Sequence, residues 1–292
     1  MDTISKPVSL EDITHWAPSG SCAGLQMLRL DNLHPVVSGN KWYKLRFNVA
    51  AALEQGKAAL LSFGGGYSNH LVATAYAARL AGLRSIGVVR GHYAEDQMTP
   101  TLRACEAYGM QLLPCSKEDY ANLSATGPEA LTRQFPDAYF IPEGGSNEAG
   151  IRGAADIAAL IPGDVTDVCL AVGTGTTLTG IHSALPGASR LHGFCAARNC
   201  DGARALSRQA PRQERVNWHS VGDPRFGKWR EAQILFMKSF YAITGVPLDV
   251  VYTAKMMMAV QGMLSAGIFG RDSRIVCIHT GGLQGNPPGL FP

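Results

Sequence analysis

Four loops rich in glycine and small polar residues, each preceded by a short apolar run, constrain the fold of this 292-residue chain most strongly. They cover residues 64–70, 143–147, 173–177 and 280–282. In an open parallel sheet the loops that leave the carboxyl ends of the strands meet at one crevice, where ligands bind. Glycine exposes backbone N–H groups there, and Ser, Thr and Asn add further donors, a combination that suits a phosphate. The pattern therefore predicts one ligand crevice lined by these loops.

Apolar runs alternate with helical segments along most of the chain. The predicted strands cover residues 58–63, 85–89, 111–113, 138–141, 167–172 and 274–279. The predicted helices cover residues 69–81, 99–108, 147–161, 177–185, 229–244 and 253–266, and another helix opens at 39–41. This alternation predicts an α/β fold. Residues 201–228 are polar and proline-containing, so they are expected to be irregular chain with at most one helix.

The composition excludes several classes of protein. The 26 basic and 23 acidic residues give a formal net charge of +3 without a basic run, which argues against a nucleic-acid partner. No run of about 18 apolar residues could span a bilayer, and the N-terminus lacks an apolar signal core. The seven cysteines are scattered, without a C-x-x-C pair, so a reducing cytoplasm is expected. Cys169 and Cys277 lie inside apolar runs and are predicted core thiols. No clustered Cys/His set suggests a metal site.

The 173–177 loop, Gly-Thr-Gly-Thr-Thr, joins a predicted strand to a predicted helix. Its N–H groups, its threonines and the positive end of the helix form a good phosphate cradle. It lacks both the lysine of a Walker loop and the glycine spacing of a dinucleotide fingerprint. Two alternatives stay open, namely an ordinary strand-to-helix turn and a nucleotide-phosphate binding loop.

Lys41 and Lys44 lie on one face at the start of a predicted helix. The helix dipole disfavours positive charge at that end of a helix. A bound anion, or the covalent conversion of an amine to an uncharged group, would remove this unfavourable interaction. The alternative is a pair of solvated surface lysines. Ser68, Asn69 and His70 begin another helix and could form a carboxylate clamp, although helix capping alone would explain one of them.

Six segments, taken together, resemble the family that contains 1-aminocyclopropane-1-carboxylate deaminase and D-cysteine desulfhydrase. In family order they are residues 39–44, 68–70, 141–147, 173–177, 248–255 and 278–282. The resemblance implies a pyridoxal 5′-phosphate enzyme of fold type II, the tryptophan synthase β-like fold. Two open, twisted, mostly parallel sheets flanked by helices are then expected. It also implies a smaller α/β domain at 44–145, a larger cofactor-binding domain made of 1–43 plus 146–292, and a homodimer.

The resemblance also implies the roles of individual residues. The implied catalytic residues are Lys41, Ser68 and Tyr252. The implied cofactor-binding residues are Lys41, Lys44, Asn69, Gly173, Thr174, Gly175, Thr176, Thr177 and Thr280. The implied substrate-binding residues are Tyr67, Ser68, Asn69, His70, Phe226 and Thr253. Lys41 would hold the cofactor as a Schiff base and shuttle the Cα proton. Tyr252 would lie over the reacting atoms, and Thr280 would face the pyridine nitrogen.

Two positions bear on the chemistry that the resemblance implies. The deaminase pattern has Glu and Leu where this chain has Thr253 and Thr280, as in the desulfhydrase pattern. A neutral group at the pyridine nitrogen makes a weaker electron sink, which is sufficient for β-elimination from a small amino acid. The expected reaction gives pyruvate, ammonia and sulfide from D-cysteine. Tyr67 and Phe226 depart from the family's usual Gln and Tyr, which puts the substrate in question. Ring-opening deamination, racemisation or replacement, and non-catalytic cofactor binding are the alternatives.

Overall fold

The computed structural model describes residues 7–93, 97–125, 129–185, 187, 189–197, 200–208, 216–222, 227 and 229–291. Within them, two β-sheets carry the fold. The strands are β1 (Ser9–Asp12), β2 (Gly24–Arg29), β3 (Ala59–Gly65), β4 (Arg84–Arg90), β5 (Met110–Cys115), β6 (Ala138–Ile141), β7 (Asp167–Val172), β8 (Arg190–Cys195), β9 (Val216–Ser220) and β10 (Arg274–His279).

Helices follow most of the strands. They are α1 (Asn40–Glu54), α2 (Asn69–Leu80), α3 (Pro100–Ala107), α4 (Lys117–Ala125), α5 (Glu129–Gln134), α6 (Glu148–Ala155), α7 (Thr176–Ala184), α8 (Asp201–Ser207), α9 (Glu231–Thr244) and α10 (Thr253–Ser265). The helix predicted over 147–161 is α6 followed by a 3-10 turn, Asp156–Leu160. No helix in the described ranges has the length and hydropathy needed to cross a membrane.

The two sheets differ in size and share a mostly parallel architecture. The larger has six strands in the order β1-β2-β10-β7-β8-β9, and only its edge pair β1 and β2 is antiparallel. The smaller has four parallel strands in the order β5-β4-β3-β6. The predicted α/β class with two mostly parallel sheets is confirmed. The smaller sheet lies between residues 59 and 141, and the domain boundaries at 44 and 145 stay a prediction.

One continuous apolar core connects the two sheets. It includes Leu60 of β3, Val168 of β7 and Val276 of β10, all fully buried, and the inward face of α1 with Leu45 and Val49. Parallel strands covered by helices on both faces are apolar along their whole length, as the all-buried pattern of β7 shows. Because α1 packs into this shared core, its first turn is held at the junction between the sheets.

The expectation of irregular chain over residues 201–228 is wrong at residues 216–220, which form β9. This strand pairs in parallel with β8 at the edge of the larger sheet. Its short, half-polar sequence carries no strand signal, and the tertiary pairing with β8 decides its conformation. Residues 201–207 form α8, the one helix expected there.

The cysteines include one bonded pair. Cys169 and Cys277 are fully buried free thiols, as predicted. Cys195 and Cys200 form a disulfide, which the scattered spacing of the cysteines did not indicate.

Candidate active site

The start of α1 and the glycine-rich loops meet between the two sheets. A Cβ added to Gly39 would lie 2.0 Å from the carbonyl oxygen of Thr280, so only glycine allows this contact. A Cβ on Gly144 would lie 2.7 Å from Thr174, and one on Gly282 would lie 3.0 Å from Asn69 Nδ2. The loops that leave both sheets therefore converge on one crevice.

Lys41 lies in the first turn of α1. Hydrogen bonds through its neighbour Asn40 connect it to the 173–177 loop. Its Nζ donates to Asn40 Oδ1 at 2.5 Å, and Asn40 Nδ2 donates to Thr177 Oγ1 at 2.8 Å. Burial lowers the pKa of Lys41 to about 8, although the carboxylate of Asp249 partly opposes this. A depressed amine pKa leaves more of the neutral, nucleophilic form at physiological pH.

Lys44 lies one turn further along α1 and is buried. Its Nζ donates to the carbonyl oxygen of Gly144 at 2.7 Å. Burial holds the pKa of Lys44 well below its usual range, and the neighbouring charge of Lys41 lowers it further. Two amines at the unfavourable end of a helix dipole form a site that an anion would stabilise. The alternative of two solvated surface lysines does not fit these surroundings.

The 173–177 loop forms a tight turn between β7 and α7. Gly175 has a φ of 91°, and a Cβ there would lie 2.7 Å from Ala203 of α8, so this position requires glycine. The hydroxyls of Thr174 and Thr176 lie 3.1 Å apart. Because α7 begins at Thr176, its unbonded N–H groups face the loop. The arrangement has the donors and the positive potential of a phosphate site.

Ser68, Asn69 and His70 form the first turn of α2 on the opposite side of the crevice. Ser68 Oγ caps the helix by accepting from the N–H of Leu71 at 3.2 Å. Within the described residues, Asn69 Oδ1 and His70 Nδ1 are buried without a hydrogen-bond partner. His70 Nε2 lies 3.0 Å from Ser62 Oγ. Burial keeps the pKa of His70 well below its usual range, with Lys44 and Lys41 lowering it further, so the imidazole is neutral.

Asp249 lies just before α10 and holds the backbone there by hydrogen bonds. It was not identified as a site residue from the sequence. Its carboxylate accepts from the N–H groups of Val251, Tyr252 and Thr253 at 2.8–2.9 Å. It also accepts from Thr253 Oγ1 at 2.8 Å. The position of Asp249 gave little signal, because Tyr252, three residues later, occupies the N-cap position of α10. Thr253 is fully buried, and its hydroxyl is directed toward Asp249.

The ring of Tyr252 lies against Gly173, at the start of the 173–177 loop. A Cβ added to Gly173 would lie 3.3 Å from the Tyr252 ring and from its hydroxyl oxygen. Burial raises the pKa of Tyr252, and the carboxylates of Asp249 and Glu143 raise it further. The phenol is therefore protonated at neutral pH and can donate a hydrogen bond.

The remaining predicted site residues occupy different surroundings. Thr280 is buried at the end of β10, where its carbonyl approaches Gly39. The neighbouring His279, which was not a predicted site residue, is a core residue whose Nε2 lies 2.7 Å from the carbonyl oxygen of Pro247. Tyr67 is 69% exposed at the mouth of the crevice. Phe226 lies outside the described residues.

The residues of this crevice fit pyridoxal phosphate. A threonine-lined helix N-terminus beside buried Lys44 suits the phosphate. Lys41, with its lowered pKa, suits the aldehyde. The unpartnered buried Asn69 Oδ1 and His70 Nδ1 require polar partners that the described residues do not supply.

Comparison with known proteins agrees with this fit. The family model described as pyridoxal-phosphate dependent enzyme matches residues 21–281. The chain is 28% identical over 294 residues to a D-cysteine desulfhydrase of Yersinia pestis (strain Pestoides F), which covers 90% of this chain and 87% of the relative. It is 29% identical over 287 residues to a mitochondrial bifunctional D-cysteine desulfhydrase/1-aminocyclopropane-1-carboxylate deaminase of Arabidopsis thaliana, with 85% and 70% covered.

Solved structures share the fold. An ACC deaminase homologue superposes with a TM-score of 0.85 at 23% identity, covering 98% of this chain and 92% of the other. An O-acetylserine dependent cystathionine β-synthase from Helicobacter pylori superposes with a TM-score of 0.69 at 15% identity, with 96% and 94% covered. These neighbours confirm fold type II. Since the family model covers most of its length, this chain belongs to the pyridoxal-phosphate dependent enzymes, and pyridoxal 5′-phosphate is its cofactor.

Proposed function

We propose that this enzyme eliminates the β-substituent of a small amino acid, with D-cysteine desulfhydration to pyruvate, ammonia and sulfide as the leading reaction. The observation that carries the proposal is the position of Lys41. Its amine, with a pKa of about 8, is linked through Asn40 to the 173–177 loop and lies near enough to His70 in the first turn of α2 to lower the pKa of that imidazole. The neutral Thr280 at the end of β10 and the resemblance to proteins named D-cysteine desulfhydrase favour elimination over ring opening.

The cofactor would be held by residues from three directions. Lys41 would hold its aldehyde, while Lys44 and the 173–177 loop would bind its phosphate. Asn69 and Thr280 would contact the ring, with Asn69 supplying the polar atom that the described residues leave unpartnered. When bound, the cofactor supplies an electron sink that makes the Cα proton of the amino acid acidic.

The chain's own residues would bind the amino acid and move one proton. Ser68, Asn69 and the backbone N–H of His70, at the positive end of α2, would bind the substrate carboxylate, whereas the neutral His70 ring donates from Nε2 to Ser62. Lys41 would accept the Cα proton, and the electrons of the Cα–H bond would form the Cα=Cβ bond. The electrons of the Cβ–S bond would leave with sulfur as hydrosulfide. The released 2-aminoacrylate would react with water to give pyruvate and ammonia. Tyr252 would cover the reacting atoms and exclude water.

A panel of D- and L-amino acids tests the proposal. We expect pyruvate, ammonia and sulfide from D-cysteine, and pyruvate from β-chloroalanine, because chloride is also a good leaving group. 1-Aminocyclopropane-1-carboxylate is included because release of 2-oxobutyrate would identify a deaminase. Inversion without keto acid would identify a racemase. If the cofactor-loaded protein releases keto acid from none of the β-substituted amino acids, the elimination proposal is wrong.

The pKa of Lys41 predicts how cofactor uptake depends on pH. Burial lowers this pKa from its usual value to about 8, so in the cofactor-free protein the amine is protonated below about pH 8 and neutral above it. Only the neutral amine attacks an aldehyde. The rate of cofactor uptake, followed by absorbance, should rise with pH, reach half its maximum near pH 8 and level off above it. With an ordinary lysine, whose pKa is about 10.4, the rate of cofactor uptake would still be increasing near that pH. A rate that keeps increasing up to pH 10 would contradict the lowered pKa.

A cytoplasmic homodimer is also part of this proposal. Leu235 and Ile243 expose 60% and 51% of their surface on α9, and such apolar side chains are frequent at interfaces between subunits. Five of the seven cysteines are free, as expected in a reducing compartment, whereas the Cys195–Cys200 disulfide is not typical of one.

A further inference from the structure

The two ring nitrogens of His70, in the first turn of α2, have different surroundings. Ser62 Oγ donates to the carbonyl oxygen of Ile141 at 2.8 Å, so the one proton of this hydroxyl is already used. The 3.0 Å contact between Ser62 Oγ and His70 Nε2 is therefore a hydrogen bond in which Nε2–H donates. Burial keeps the pKa of His70 well below its usual range, so the ring is neutral. Its Nδ1 then carries no proton and can only accept.

His70 Nδ1 is a buried hydrogen-bond acceptor that needs a donor. The residue exposes only 4% of its surface, and within the described ranges Nδ1 has no hydrogen-bond partner. A carboxylate or a deprotonated phosphate oxygen brings no proton, so neither of these groups can satisfy it. Because an unsatisfied buried acceptor is costly, the ligand-bound site should bring a donor to this nitrogen.

The side chain of Lys44 packs beside this ring. A Cβ added to Gly145 would lie 3.5 Å from His70 Cε1, the ring atom between the two nitrogens. The same Cβ would lie 3.4 Å from Lys44 Cβ and 3.5 Å from Lys44 Cδ. Both side chains therefore lie against one glycine, and only two bonds separate Lys44 Cδ from Nζ.

Lys44 can donate more hydrogen bonds than it makes to the described residues. A charged ammonium carries three N–H groups. In the described part of the chain, one acceptor is found for Nζ, the carbonyl oxygen of Gly144 at 2.7 Å. Burial and the charge of Lys41 hold the pKa of Lys44 well below its usual range, so its charged form needs further acceptors. His70 Nδ1 offers a second acceptor, and an anion in the crevice would be the third.

We propose that His70 is a positioning residue whose Nδ1 accepts a hydrogen bond from the Lys44 ammonium and so directs that charge toward the phosphate of the cofactor. The three N–H groups of Lys44 would then go to Gly144 O, to His70 Nδ1 and to a phosphate oxygen. Binding of the phosphate favours the charged form of Lys44 and would form the bond to Nδ1. This inference rests on the proposed role of Lys44 in binding the phosphate.

Pyridoxal 5′-phosphate and pyridoxal, which lacks the phosphate, together test the inference on cofactor-free protein. Absorbance titration gives a Kd for each, and the ratio of the two values reports the contacts to the phosphate. His70→Gln keeps an N–H donor for Ser62 and removes the acceptor at Nδ1. It should raise the Kd of pyridoxal 5′-phosphate about tenfold, as expected for a lost hydrogen bond to a charged group, and leave the Kd of pyridoxal unchanged. His15→Gln, at an exposed histidine, is the matched control and should change neither Kd.

Lys44→Met, alone and combined with His70→Gln, shows whether the two residues act together. Lys44→Met should raise the Kd of pyridoxal 5′-phosphate selectively, and adding His70→Gln should then change this Kd no further. Equal weakening of both ligands by Lys44→Met would refute the proposed role of Lys44 in binding the phosphate. If Lys44→Met is selective for the phosphate and His70→Gln is not, the role of His70 alone is wrong. Additive effects of the two substitutions would overturn that role too, because a residue that acts through Lys44 has no effect without it.

Nitrogen NMR on wild-type protein with isotope-labelled histidine tests the same inference without any substitution. In the cofactor-free protein, His70 Nδ1 should have the chemical shift of an unprotonated ring nitrogen, and Nε2 that of a protonated one. Pyridoxal 5′-phosphate should move the Nδ1 signal upfield, as accepting a hydrogen bond does, and pyridoxal should not. A proton on Nδ1 in the cofactor-free protein, or the same displacement with both ligands, would overturn the proposal.

Discussion

Lys41→Ala is expected to abolish covalent attachment of the cofactor and to lower kcat for β-elimination by at least about 10⁴-fold. The loss should be this large because one amine is proposed to serve twice, holding the aldehyde and accepting the Cα proton. The structure places that amine at the junction of the two sheets. It donates a hydrogen bond to Asn40, whose side-chain amide donates in turn to Thr177. Noncovalent binding through the 173–177 loop should survive in the variant.

Borohydride reduction followed by denaturation and mass spectrometry measures the attachment directly. Wild-type protein should keep the added mass, on the peptide that contains Lys41, and the variant should lose it. Lys238→Ala is the matched control because Lys238 is exposed on α9, away from the crevice. Added mass on the Lys44 peptide of the wild type would move the attachment point one helical turn. Added mass retained by the variant would refute the assignment.

The strands that frame the crevice could be predicted closely from the sequence. β7 and β10 have the predicted bounds, because strands buried on both faces are continuous apolar runs that stand out from their surroundings. Their following loops were recognisable from glycine and threonine content. Loops at the carboxyl ends of parallel strands meet at one crevice, and this rule predicted that these loops would meet. The contact between Gly39 and Thr280 is consistent with that prediction.

The edges of the larger sheet could not be predicted in the same way. β2 pairs in parallel with β10, some 250 residues later in the chain, and β9 pairs with β8 at the opposite edge. Such strands acquire their conformation from partners distant in sequence, and the five residues of β9 include Asn217, His219 and Ser220. Local pattern is a weak guide where pairing supplies most of the stabilisation.

Within the site, sequence analysis identified the ligand-facing loops better than the residues that support them. Asp249 was included in a family segment without a role of its own, and Thr253 was expected to contact substrate. The structure connects the two, because Thr253 Oγ1 donates to the carboxylate of Asp249. Asp249 lies three residues before the N-cap position of α10, where no capping rule points to it, and the approach of its charge to Lys41 depends on how α1 and α10 pack.

Asp249→Ala should lower the free energy of unfolding by about 2–4 kcal/mol, because the buried N–H of Thr253 and the part-buried N–H groups of Val251 and Tyr252 would lose their acceptor. It should also lower the pKa of Lys41 below about 8, since the Asp249 carboxylate opposes the effect of burial. The half-maximal pH of cofactor uptake would then move downward. Urea denaturation measures the first effect, and the pH profile of uptake measures the second.

Asp249→Asn separates the two roles of this residue. The amide oxygen replaces only one of the two carboxylate oxygens that accept hydrogen bonds here, so only part of the stability should return, whereas the charge is absent and the half-maximal pH should stay low. Asp272→Ala removes an exposed carboxylate and should change neither quantity. If Asp249→Asn is as unstable as Asp249→Ala, the turn before α10 requires both carboxylate oxygens. If its uptake profile coincides with that of the wild type, Asp249 does not set the protonation of Lys41. An Asn variant of intermediate stability with a lowered half-maximal pH would establish that one carboxylate both holds Tyr252 against Gly173 and tunes the amine proposed to remove the Cα proton.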